Sequence, residues 1–97
     1  MQDDMVMKTE MVRAQTRTGF ACEVPKENFD NWDLVNAAAA SGKGDSTATI
    51  EYVRIMLEEV LGEDVAGRLK DHVSVGGRVP MSALVSECND ITAAVKN

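Results

Sequence analysis

Apolar and polar positions alternate with two different periods along the chain, and the change between them divides it. Thr9 to Gln15 and Thr18 to Val24 are rich in strand-compatible residues. In the second segment Phe20, Cys22 and Val24 alternate with Ala21 and Glu23, the period of a half-buried strand. Thr16-Arg17-Thr18-Gly19 lies between them, and Gly19 can take a positive φ. The pair reads as a β-hairpin. An isolated hairpin is marginal in water, so it must pack on something else. Residues 1–7 carry no such period and read as a flexible lead-in, with Met5 and Met7 as alternative starts.

Beyond Pro25, which closes the second strand, the period becomes helical. Asn28 or Asp30 caps a helix running to about Ala40, with Asp33 near its positive end. Phe29, Trp32, Val35 and Ala39 are expected on one side of it. Ser41-Gly42-Lys43-Gly44-Asp45 breaks the pattern as a linker. Asp45 or Ser46 then caps a helix of about 15 residues. Its stripe is Ile50, Val53, Leu57, Val60 and Leu61, with Tyr52 and Met56 flanking. Gly62 is expected as a left-handed C-terminal residue. Glu63 and Asp64 open a third helix carrying Val65, Leu69 and Val73. Val75-Gly76-Gly77-Arg78-Val79 breaks that helix, and Pro80 suits the first turn of a fourth. The fourth stripe is the most regular: Met81, Leu84, Val85, Cys88, Ile91 and Val95, in steps of three and four. The expected fold is α+β and mainly helical, an N-terminal β-hairpin followed by about four short helices. Residues 8–97 form one compact domain, with no internal repeat or low-complexity tract.

Composition narrows the reading. Eleven of the apolar residues are Ala, leaving 32 larger apolar side chains among 97 residues for the core. Ten Lys and Arg stand against 16 Asp and Glu, a net charge of -6. Residues 29–62 hold most of the imbalance, two basic against six acidic groups. A nucleic-acid binder needs cations to meet phosphates, and no basic patch is visible, so no nucleic-acid partner is expected. The first four residues, Met1-Gln2-Asp3-Asp4, are acidic where a secretory signal is basic, and the longest Ala run is Ala37 to Ala40. These features lead to an expectation of a cytoplasmic protein with no membrane partner.

Candidate chemistry is thin. Cys22 and Cys88 lie on apolar positions without a second ligand set, and read as small buried hydrophobes. Gly42-Lys43-Gly44-Asp45-Ser46-Thr47 only superficially matches a phosphate loop. Ala37 stands where the first glycine belongs, and Gly44 follows the lysine where a hydroxyl is needed. His72 has only Asp71 beside it and Arg68 one turn earlier, an unsuitable setting for a catalytic base, and reads as a surface or semi-buried residue. Glu58 with Glu59 and Glu63 with Asp64 diverge on a helix. Glu87 and Asp90 share a face, which reads as the solvated edge of the fourth stripe. Asp45-Ser46-Thr47 lacks the alternating acids of a calcium loop. No enzyme activity, metal or cofactor is expected. Trp32 and Phe29 form one aromatic cluster, read as a core anchor under the hairpin, with an exposed binding hot spot as the rival. The fourth helix either closes the core or presents Met81, Leu84, Val85, Cys88, Ile91 and Val95 to a partner or a second copy.

The order of these elements resembles a known family. A Thr/Arg-rich hairpin ends in Gly19-Phe20, an acidic-aromatic helix start follows at Asn31-Trp32-Asp33-Leu34, a helix ends in Leu61-Gly62, and Gly77-Arg78-Val79-Pro80 opens the last helix. Over residues 8–97 this is similar to the small tail assembly chaperones of long-tailed phages and prophages of Gram-positive bacteria. The resemblance implies a non-enzymatic protein of the host cytoplasm that coats the helical, aggregation-prone tape measure protein and recruits tail-tube protein. It implies no active-site residues. In many members a translational slip gives a longer second product, and Lys96-Asn97 can be encoded by an A-rich run. Self-association through apolar helix surface is expected as well. A reading from another class is an acidic inhibitor or nucleic-acid mimic that covers a basic protein surface, motivated by Asp30, Asp33, Asp45, Glu51, Glu58 and Glu59.

Overall fold

A computed structural model describes residues 10–96. The expected lead-in, and Thr9 as the start of the first strand, lie outside the described residues. Strands β1 (Met11–Gln15) and β2 (Ala21–Pro25) pair antiparallel, with Val12 opposite Val24 and Ala14 opposite Cys22. Ala14, Cys22 and Val24 are buried, which gives the sheet its inward face. The Thr16 N–H donates to the Phe20 carbonyl at 2.8 Å and the Gly19 N–H to the Thr16 carbonyl at 3.0 Å. Gly19 has φ +95°, the positive value that a three-residue hairpin loop requires of its last residue. Thr18 therefore belongs to the loop and not to the second strand.

Lys26–Phe29 make one 3₁₀ turn, and α1 follows at Trp32–Gly42. Its cap is Asn31, not Asn28 or Asp30: Asn31 Oδ1 accepts the Leu34 N–H at 3.1 Å. Asn28 instead donates from Nδ2 to the Val60 carbonyl at 2.9 Å, so it is tied to another element. Asp45 caps α2 (Ser46–Ile55), accepting the Ala48 N–H at 3.0 Å. A π-helical turn, Met56–Leu61, carries α2 directly into α3 (Gly62–Val73). Gly62 has the positive φ expected of a glycine there, +86°, but its ψ of +165° departs from the left-handed helical value, and the chain bends there without a loop. Gly76 and Gly77 both have positive φ, which closes the tight Val75–Arg78 turn. Pro80 precedes α4 (Met81–Lys96), and its carbonyl accepts the Leu84 N–H at 3.2 Å. Among the described residues the fold is thus a two-stranded hairpin and four α-helices, α+β and mainly helical.

The core lies between the hairpin, α2 with its π turn, and α4. Ile55, Met56, Val60, Leu69, Cys88 and Ile91 are fully enclosed. Ile55, outside the expected α2 stripe, is fully buried, whereas Ile50, expected at its head, is 62% exposed. At 100° per residue Tyr52, Val53, Ile55 and Met56 share one side of α2 and Ile50 lies opposite, while the wider winding of the π turn that follows brings Leu61 round to the buried side with Val60. No helix among the described residues is long and apolar enough to cross a membrane.

Candidate functional site

The inward half of the α4 stripe is committed to the protein's own core. Leu84, Cys88 and Ile91 are buried, and Val85 packs against the core from its edge. Met81 is 40% exposed, and Val95 lines an open hollow. Of the six stripe residues, Met81 is the exposed one, and Val85 and Val95 are partly buried. Cys88 is enclosed so thoroughly that burial pushes its thiol up to about 12, and burial raises Cys22 as well. Both are free and buried.

Exposed large apolar side chains occur at Met11, Ile50, Val75, Val79 and Met81, and two more, one of them the most exposed in this group, lie one turn apart on α1. Leu34 and Ala37 are buried there, with Ala38 packed behind them, so α1 turns its opposite side outward. Trp32 is 77% exposed and Val35 57%. This overturns Trp32 as a core anchor and places the expected Phe29, Trp32, Val35 and Ala39 side largely in solvent. Phe29 alone of the four packs against the core. The physical reason is phase. The buried residues of α1 are Leu34 and Ala37, and at 100° per residue Trp32 lies about 160° round the helix from Leu34, on the outward side.

Beside this face runs a hollow of about 350 Å³ between α1 and the end of α4, lined by Phe29, Leu34, Val35, Ala38, Ala39, Thr92 and Val95. Every lining residue but Thr92 is apolar. At 100° per residue, Val35, Ala39 and Trp32 fall within one narrow arc of α1, so the tryptophan stands one turn from Val35 on the same side of the helix, without itself lining the hollow. An exposed aromatic beside an apolar depression is the arrangement in which binding energy concentrates.

A separate polar cluster forms where the hairpin loop meets α3 and α4. Asp90 accepts from the Arg17 backbone N–H at 3.0 Å and from Nε at 3.1 Å. Arg17 Nη2 lies 3.0 Å from Asp90 Oδ1. The hydrogen bond from Arg17 holds the Asp90 carboxyl below its ordinary range. The Thr18 hydroxyl donates to Glu87 Oε2 at 2.7 Å and stands 2.9 Å from His72 Nε2. Glu87 is 2% exposed, which corrects its reading as a solvated edge, and its Oε1 has no hydrogen-bond partner. His72 is exposed and tilts onto the Phe20 ring, centroids 5.4 Å apart, while the Arg68 guanidinium lies 5.6 Å from the same ring. These groups fasten the loop to the helices. Each of their hydroxyl and carboxylate partners is accounted for within that tether except Glu87 Oε1.

Among the described residues no three His, Cys, Asp or Glu side chains converge as a metal site. Gly42 to Thr47 form the end of α1, a turn and the cap of α2, with the Asp45 carboxylate spent on that cap. Arg54 pairs with Glu51, with Glu58 at 3.0 Å and with Glu59 at 3.8 Å, which neutralises part of the acidic cluster. No family model, no curated protein and no solved structure matches the chain.

Proposed function

We propose that this protein is a non-enzymatic binding protein of phage or prophage tail assembly, a chaperone that holds the tape measure protein and recruits tail-tube protein. The observation that carries the binding half of this reading is the exposed Trp32–Val35 face of α1 beside its apolar hollow. An amphipathic helix lays its apolar side into such a groove, read as anchors one turn apart. The tail-assembly half rests on the resemblance of the element order. The working surface in this proposal is α1, with Val95 and Thr92 of α4 as the far wall. The acidic-inhibitor reading draws less support, because three of its six carboxylates surround Arg54.

The test is co-expression of the tagged chain with the proteins encoded beside its gene in its native genome. The expected result is that a long helical protein, insoluble alone, is recovered soluble with the tagged chain. Trp32→Ala abolishes the recovery while the chain itself stays folded. Recovery of no such protein, or recovery indifferent to Trp32→Ala, overturns the proposal.

A further inference from the structure

The α1 face carries a knob and a hole together, and that fits a second copy of the same chain. A two-fold interface is self-complementary: the same patch must supply both the projecting group and the depression that receives it. Trp32 projects one turn before Val35 on the same side of α1, and Val35 borders the hollow together with Phe29, Ala38, Ala39 and Val95. The hollow, about 350 Å³, is large enough for the indole of another copy. Ala38 and Ala39 on its wall let two backbones approach closely.

Charge fixes the direction. Asp30 and Asp33 stand at the start of α1, and Lys43 at its C-cap. A parallel pairing sets acid against acid. A two-fold axis across α1 near Val35 makes the helices antiparallel, lays each Trp32 against the other copy's Ala38–Ala39 wall, and brings each Lys43 to the acidic turn, Glu27 to Asp30, that precedes the other copy's α1. The opposed helix dipoles favour the same arrangement.

We infer that, without its partner, the protein is a two-fold dimer in which each Trp32 seats in the other copy's α1–α4 hollow. The dimer covers the surface assigned above to the partner, so it rests on that reading for its role: partner binding must open it. Its existence does not depend on which partner that is.

Sedimentation equilibrium of the full chain over a wide concentration range tests it, together with the emission of Trp32, which is the single tryptophan. The expected result is a monomer–dimer equilibrium with a blue shift of emission as the dimer forms. Trp32→Ala, at an exposed position, leaves the circular dichroism unchanged and the chain monomeric. Asp30→Lys and Lys43→Glu each weaken self-association at least several-fold, and an equimolar mixture of the two variants regains it, because an antiparallel pair restores both contacts. A chain that is monomeric throughout, a dimer indifferent to Trp32→Ala, or variants that fail to rescue one another overturns the inference. If the dimer fails while Trp32-dependent recovery of a partner stands, only the dimer is lost. If the dimer stands while recovery is indifferent to Trp32, only the partner reading is lost.

Discussion

Asp90 holds Arg17 through three donors, yet both side chains border solvent, so screening limits what the pair adds to stability. Its pH dependence is still legible. Asp90 titrates below its ordinary range when folded, so the pair stabilises fully above the unfolded value of about 3.9. That contribution fades as pH falls through the lower folded value. Arg17→Ala is therefore expected to lower the melting temperature by a similar amount from pH 7 to pH 5, with the gap closing below about pH 4. A gap that stays constant into strong acid contradicts the pairing. Glu87 behaves differently, because a buried carboxylate oxygen without a partner carries a desolvation cost of about 1–3 kcal/mol or more. Glu87→Gln keeps an acceptor for the Thr18 hydroxyl but sets an unpartnered amide NH2 where Oε1 stood, so no gain in the urea midpoint is expected. The buried thiols supply a third check. With Cys88 raised to about 12 and Cys22 raised as well, both should resist iodoacetamide in the native protein and react promptly in denaturant.

The elements themselves were largely visible in the order of residues. The period-two run Phe20–Val24 and the period-3.6 stripe of α4 each have one dominant apolar side, and both fold as that side directs. The orientation of α1 was not visible. Ala37 to Ala40 present the same small side chain around the helix, so the two large residues Trp32 and Val35 decide the apparent stripe, and they point outward. Leu34 with Ala37 and Ala38 was the weaker, correct signal. The burial of Glu87 was equally hidden, since its partner Thr18 is 69 residues away. The caps carry a prediction at this scale. Asp45→Ala removes only the acceptor for the Ala48 N–H and should cost about 1 kcal/mol. Asn31→Ala loses the Leu34 cap and also the donor to Glu59, 3.0 Å away, so its urea midpoint should fall further than that of Asp45→Ala. The reverse order would place the α1 start elsewhere.

The whole molecule separates its core from its outer apolar surface more sharply than its composition implies. With a core built from the hairpin, α2 and α4, and α1 joined to it through Leu34 and Ala37, a large exposed aromatic on the other side of α1 costs the fold little to keep or lose. Stability for a chain of this length is about 5–15 kcal/mol. Ile91 is fully buried where α4 meets the rest of the core, and Ile91→Ala should remove about 2–5 kcal/mol, a large share of the total. Trp32→Ala replaces a far larger side chain, yet at its exposed position it should change stability by less than about 0.5 kcal/mol. Urea unfolding followed by circular dichroism, at concentrations low enough to keep the chain monomeric, makes the comparison without needing the tryptophan signal. If the larger deletion proves the milder one, Trp32 is retained for contact and not for folding. If Trp32→Ala costs as much as Ile91→Ala, α1 packs through its tryptophan after all, and both the partner surface and the dimer fall with it.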